Sequence, residues 1–137
     1  MRDRKLTIAA SIAVGLTAAT WGIRSLNAQQ PSGFKRVELQ RHDLAISGRE
    51  VVMARGEFNP GAAVPRHTHP GEEVAFVLEG EITVEVEGKP PATVKAGETF
   101  FVPAGTVHLA RNGGKLPARV ISTYVVEKGK PLATPVK

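Results

Sequence analysis

An all-β fold is what this sequence predicts, on three observations. The central chain is rich in Val, Ile, Phe and Thr, residues that suit a pleated, half-buried surface. Gly and Pro are plentiful, 14 and 10 of 137 residues, and they recur as turn signals every several positions. No amphipathic helical pattern follows the first thirty residues. Short strands joined by tight turns make a β-sandwich or barrel.

The length fits one domain with one modest core. Residues 1–28 read as a signal peptide, with a charged start from Met1 to Lys5, an Ala-rich apolar stretch and a small residue at Ala28. Cleavage is expected between Ala28 and Gln29, which would leave a domain of residues 29–137 in the periplasm or secreted. The alternative is an uncleaved leader that anchors the domain, because the apolar stretch approaches the roughly twenty residues that span a bilayer. Its many Ala and Thr residues, with Gly15, make it only mildly hydrophobic and favour cleavage, so no membrane association is expected of the mature domain.

The formal net charge is +5, but the leader holds Arg2, Arg4, Lys5 and Arg24 against Asp3, leaving 14 basic and 12 acidic residues elsewhere. With no basic block or aromatic interleaving beyond the leader, nucleic acid is not expected as a partner. Cysteine is absent, which excludes a disulfide framework, a thiolate metal site and a cysteine nucleophile. Any metal must be held by nitrogen and oxygen.

Residues 31–48 predict an entry arm and a first edge strand, where His42 between Arg41 and Asp43 reads as a surface histidine. Arg49 to Phe58 predicts a strand closed by the turn Asn59-Pro60-Gly61, since Pro fixes φ and Gly tolerates positive φ. The next strand carries His67-Thr68-His69. The apolar run Val74 to Leu78 suits a strand buried on both faces, with Glu79-Gly80-Glu81 as its turn. Ile82, Val84 and Val86 then alternate with Thr83, Glu85 and Glu87, as in a half-buried strand. Short strands are expected at Thr93 to Lys95, Thr99 to Val102 and Thr106 to Ala110, and a last one at Ala118 to Val126. The Pro-broken, charged tail reads as a solvated extension or an arm against a neighbour.

On a strand of period two, His67 and His69 project from one face with Cα atoms roughly seven ångströms apart, so one ion can accept both imidazoles. Pro70 and Gly71 turn the backbone and let Glu73 point back, while Glu72 has the opposite parity. His108, from a distant strand, completes three nitrogens and one oxygen. A His-x-His pair is often only a surface or structural feature, yet three of the four histidines fall at these positions. The donor set suits one divalent transition metal, Fe, Mn, Ni, Co, Zn or Cu(II), without choosing among them. An octahedral ion would keep two positions open after four protein ligands, a catalytic rather than a structural arrangement. Ala75 and Val77 share the parity of Glu73 and are expected to line a substrate pocket. Arg55 and Arg66 are candidates to attract an anion.

Two stretches carry a resemblance. Gly61, His67, His69, Glu73 and Gly80 follow the spacing Gly, five residues, His-x-His, three residues, Glu, six residues, Gly. Gly97, Pro103, Gly105, His108 and Asn112 follow Gly, five residues, Pro-x-Gly, two residues, His, three residues, Asn, with the sixteen residues Glu81 to Ala96 between. Together they resemble the paired motifs of the cupin family. The resemblance implies a double-stranded β-helix, that is a jelly-roll barrel, with a metal-binding core over about residues 49–126. It also implies a single metal inside the barrel on the three histidines and the glutamate, and commonly a homodimer. Asn112 is expected to brace a loop rather than to ligate.

The resulting expectation is an exported mononuclear metal enzyme, oxygenase-like, acting on a small organic molecule. A metal-dependent isomerase or lyase, or a non-catalytic binder of a small ligand, is the alternative, because the fold alone does not choose. No residue outside the ligand set stands out as a general acid or base, and Tyr124, the only tyrosine, reads as a packing residue.

Overall fold

The computed structural model describes residues 31–137, all strand and turn; the leader reading falls outside them. Ten strands follow in order: β1 (Phe34–Asp43), β2 (Arg49–Phe58), β3 (Ala63–Thr68), β4 (Gly71–Glu79), β5 (Glu81–Val86), β6 (Ala92–Lys95), β7 (Thr99–Val102), β8 (His108–Arg111), β9 (Ala118–Glu127) and β10 (Thr134–Pro135). They form two five-stranded sheets, ordered β1-β2-β9-β4-β7 and β10-β3-β8-β5-β6, with every pairing antiparallel. Strands consecutive in sequence repeatedly switch sheets, which gives the two-layer roll of a double-stranded β-helix.

Alternation sets what lies between the layers. On β9 the inward residues are Ala118, Val120, Ser122, Tyr124 and Val126, and on β2 they include Val52, Ala54 and Phe58. β9 pairs with β2 along its whole length, Arg49 opposite Glu127 through Phe58 opposite Ala118, and with β4 on its other edge. Facing them, β5 presents Ile82 and Val84, and β6 presents Val94. Each fully buried aliphatic side chain contributes about 1.5–3 kcal/mol relative to exposure.

Most of the buried apolar residues fall into two groups. One gathers Phe58, Ala75, Val77, Ile82, Val84 and Val120 among others; the smaller one holds Val52, Ala54, Tyr124 and Val126 with Leu132 packed on it. Polar residues interrupt the inner faces at His67, His69, Glu73, His108 and Ser122, all buried.

Two sequence expectations are corrected here. The run Val74 to Leu78 is not buried on both faces: Ala75 and Val77 point inward, while Val74, Phe76 and Leu78 are exposed. An antiparallel sheet of a two-layer domain has only one covered face. The tail is not a free extension either. It folds back so that Thr134 and Pro135 pair with Thr68 and His67, and Val136 N–H donates to the Arg66 carbonyl.

Two glycines allow close approach of backbones. At Gly71, where β4 begins against β9, a Cβ would fall 2.0 Å from the Val125 carbonyl oxygen and 2.7 Å from the Val126 Cα. Gly80 combines φ of +74° with a Cβ position 2.6 Å from the Pro117 carbonyl oxygen, so only glycine fits this turn. We predict that Gly71→Ala lowers unfolding free energy by at least about 2 kcal/mol in denaturant titration, because rigid backbone rather than a mobile side chain stands in the way. A variant with wild-type stability would show that β4 and β9 are not this close.

Candidate metal centre and cavity

The polar group lies between the sheets. His67 is the penultimate residue of β3, His69 directly follows the strand, and His108 opens β8 opposite His67 in register. Glu73 comes from β4 in the other sheet, opposite Tyr124 on β9. One ligating nitrogen from each of the three histidines lies within 4.8 Å of the others, an arrangement that could hold a metal ion. Ring centroids are 4.1 Å apart for His67 and His108, 4.8 Å for His67 and His69, and 4.9 Å for His69 and His108.

Hydrogen bonds fix how each ring presents itself. His67 Nδ1 is 2.7 Å from the Pro65 carbonyl oxygen, His69 Nδ1 is 2.5 Å from that of Leu132, and His108 Nδ1 is 3.0 Å from that of Thr106. A carbonyl only accepts, so each Nδ1 must carry the proton, and a ring in its neutral form would offer its Nε2 lone pair. The Nε2 atoms of His69 and His108 are buried and make no hydrogen bond. Orphaned acceptors of this kind cost about 1–3 kcal/mol each unless something absent from the protein chain satisfies them. A metal ion fits that requirement in position and chemistry.

Glu73 supplies the matching charge. Its Oε2 lies 3.2 Å from His69 Nε2 and 3.5 Å from His108 Nε2, while Ser122 Oγ donates to Oε1 at 2.7 Å. Burial pushes its carboxyl up, but the His108 and His69 rings and the Ser122 hydroxyl outweigh this and hold it well below the usual carboxylate range. Burial, with the neighbouring His108, lowers His67 from 6.5 to about 4, so this ring is neutral at pH 7 with its lone pair available. Burial and then the Glu73 charge push the Tyr124 phenol well above its ordinary value, which keeps its hydroxyl protonated.

A cavity of about 50 Å³ opens beside this group. That is about four times the space a single water needs, enough for a small molecule of a few heavy atoms. His67, His108, Glu73, Ser122 and Tyr124 form its polar side; its apolar wall includes Phe34, Phe58 and Phe100, and Arg36 also lines it.

The structure brings His67, His69, Glu73 and His108 together. It places Ala75 and Val77 in the packed core, outside the cavity lining. Arg55 lies on the outer face of β2, 2.8 Å from Glu57, and Arg66 is exposed 3.9 Å from Glu87, so neither expected anion site borders the cavity. Asn112 is fully buried: Nδ2 donates to the Phe58 and Leu116 carbonyls, and Oδ1 accepts from Gly114 N–H. It braces the loop after β8. Sequence reasoning missed Ser122, Arg36 and the Leu132 carbonyl. The available signal for Ser122 was its inward parity on an otherwise apolar strand.

A profile of the cupin domain matches residues 54–124, more than half of the chain. The chain belongs to the cupin family. Among curated cupins it is similar to germin-like protein subfamily 2 member 2 of Arabidopsis thaliana, 43% identical over 79 residues, which are 54% of this chain and 36% of that protein. The chain thus spans about a third of the length of the curated relatives it matches. Among solved structures it is similar to an oxalate oxidase in complex with the substrate analogue glycolate, with 30% identity, a TM-score of 0.62, and coverage of 90% of this chain and 62% of that one. It is also similar to the DMSP lyase DddQ of Ruegeria pomeroyi, with 27% identity, a TM-score of 0.55, and coverage of 59% and 41%.

In this cupin the C-terminal tail reaches the centre, since Leu132 supplies the acceptor that orients His69. We predict that ending the chain after Gly129 leaves strand content by circular dichroism nearly unchanged but weakens metal affinity by about 10–100-fold in a chelator competition, the usual cost of losing a partner behind a ligand. Unchanged affinity would mean that His69 needs no such partner.

Proposed function

We propose that this cupin is an exported mononuclear metal enzyme, oxygenase-like, that acts on a small organic molecule. The observation that carries the reading is the pair of buried Nε2 atoms on His69 and His108 without hydrogen-bond partners, converging with His67 and Glu73 beside a cavity. His67, His69, Glu73 and His108 would hold the ion. A divalent Fe, Mn, Ni, Co, Zn or Cu(II) ion held there supplies Lewis acidity and, where redox-active, a source of electrons for dioxygen chemistry.

The protein's own groups have separable tasks. The backbone carbonyls of Pro65, Leu132 and Thr106 keep the three imidazoles in one tautomer. Ser122 holds one Glu73 oxygen and leaves the other toward the rings. The protonated Tyr124 hydroxyl is a donor at the cavity wall, and the phenyl rings of Phe34, Phe58 and Phe100 limit water there. Likeness to oxalate oxidase at 30% identity supports the oxygen-dependent form of the reading. Likeness to a DMSP lyase at 27% identity supports a second form, in which the same centre acts without dioxygen as a lyase.

We predict that His69→Ala strongly lowers metal content in elemental analysis of the purified protein, with an unfolding midpoint that confirms a folded chain. Metal stoichiometry equal to wild type would remove the assigned ligand. For the metal-loaded wild type, dioxygen uptake with one of a panel of small organic acids, enols and aromatic compounds supports the oxygenase form. Turnover only under anaerobic conditions supports the lyase form. Metal binding without either outcome would leave a binding protein and end the enzyme reading.

Export rests on the leader, and N-terminal sequencing of protein recovered from outside the cytoplasm should begin at Gln29. Homodimer formation rests on the outer face of the first sheet, where Val74, Phe76, Leu78 and Phe101 are 53%, 41%, 53% and 48% exposed side by side. Monomeric proteins rarely leave such a contiguous apolar patch open. In sedimentation the wild type should be a dimer, and Phe76→Asp combined with Leu78→Asp a monomer that retains its metal. A monomeric wild type would overturn this assembly.

A further inference from the structure

Resting on the reading of this cavity as the substrate site, we propose that Gly56 is a specificity-determining residue: it sets how large an apolar body the cavity accepts, and the ligand is a compact molecule with a polar group at one end and a few carbon atoms at the other. Gly56 lies on β2 at the inward parity of Val52, Ala54 and Phe58, and it lines the cavity. It stands opposite Arg36 of β1 and Val120 of β9. A glycine inside a strand loses more chain entropy than any other residue and offers no side chain to pack, so its place there needs a reason. The backbone gives none, since the φ of Gly56 is not positive.

The reason is space. A Cβ added at Gly56 would stand 3.1 Å from the Phe58 ring and 3.3 Å from the Phe34 ring, closer than packed carbons tolerate, so the rings would have to give way. Their centroids are 4.7 Å apart, and both rings line the cavity. With the sheet beneath them, they can yield only toward the space between the layers. A methyl group at this position would therefore take room from the cavity.

The chemistry of the walls gives the ligand class. Phe34 and Phe58 are joined by Val64, Ile82, Phe100 and Ala110, which together offer nothing to a charged group. Arg36 also lines the cavity but is already engaged within the protein, and an uncharged body asks nothing of it. On the polar side, His67, Glu73, His108 and Ser122 suit a group such as a hydroxyl, which both donates and accepts. A diacid such as oxalate has no apolar part to cover the phenyl rings.

The test is an amide-resolved NMR titration of the metal-depleted protein with methanol and with isopropanol, which differ only in two methyl groups on the apolar body. Isopropanol should bind wild type about tenfold more tightly than methanol, the worth of about two buried methyl groups, with shifts confined to amides that line the cavity. Gly56→Ala should bring the two alcohols to nearly equal affinity, and Gly56→Ala combined with Phe34→Leu should restore the preference. A role in packing alone would change the unfolding midpoint of these variants and leave the preference as it was. Phe34→Leu by itself, which keeps the glycine and shortens one ring, should bind tert-butanol at least about tenfold more tightly than wild type does. Equal affinity of wild type for methanol and isopropanol, an unchanged preference in Gly56→Ala, no restoration in the double variant, or no gain of tert-butanol binding in Phe34→Leu would each overturn the assignment. None of these readouts involves a metal, so they stand apart from failure of the metal centre, which elemental analysis reports.

Discussion

Everything at the centre of this protein depends on burying three imidazoles and one carboxylate with the ring Nε2 atoms and the carboxylate turned toward one another. Each His Nδ1 is tied to a backbone carbonyl, so the rings cannot turn to relieve Nε2 by accepting elsewhere. Two of these Nε2 atoms make no hydrogen bond. A buried carboxylate is stable only if its charge is met, and here Ser122 donates to one oxygen while the other faces the His69 and His108 rings. The chain has thus assembled an arrangement that could hold a metal ion.

The fold answers that requirement by drawing ligands from both layers. His67, His69 and His108 belong to one sheet and its margin, and Glu73 to the other, so closure of the two layers and assembly of the centre are one event. The close approach at Gly71 sets β4 against β9 and so sets Glu73 against Ser122 and Tyr124. The tail strand then pins the His67 edge and delivers the Leu132 carbonyl to His69. Small inward residues such as Ala54 and Gly56 leave the adjoining cavity open between two packed apolar groups.

Much of this was legible in the sequence, because the relevant signals are local. Glycines at the turns, strict alternation in Ile82 to Val86, and the spacing of His67, His69 and Glu73 are set by strand period and turn chemistry, and these alone indicate an all-β sandwich or barrel with two histidines on one strand face. What joins distant segments was not legible. Ser122 reaches Glu73 across 49 positions and Leu132 reaches His69 across 63, and no periodicity encodes either. The expected pocket residues lie outside the lining of this cavity for a related reason. Parity correctly turns Ala75 and Val77 inward, but inward includes packed core as well as cavity wall. Parity on β2 also argues against Arg55, since Val52 and Ala54 take the inner face and leave it outside. Arg36 carries no local mark, because nothing in its neighbours tells which inner-facing residue of an edge strand meets a cavity.

The most direct measurement is anomalous diffraction at a transition-metal absorption edge from crystals of protein purified without chelator. A single peak about 2.0–2.2 Å from the Nε2 atoms of His67, His69 and His108, with a Glu73 oxygen at similar range, is the result expected. Absence of a peak at that point, with the three rings turned so that Nε2 bonds to protein or water, would contradict it.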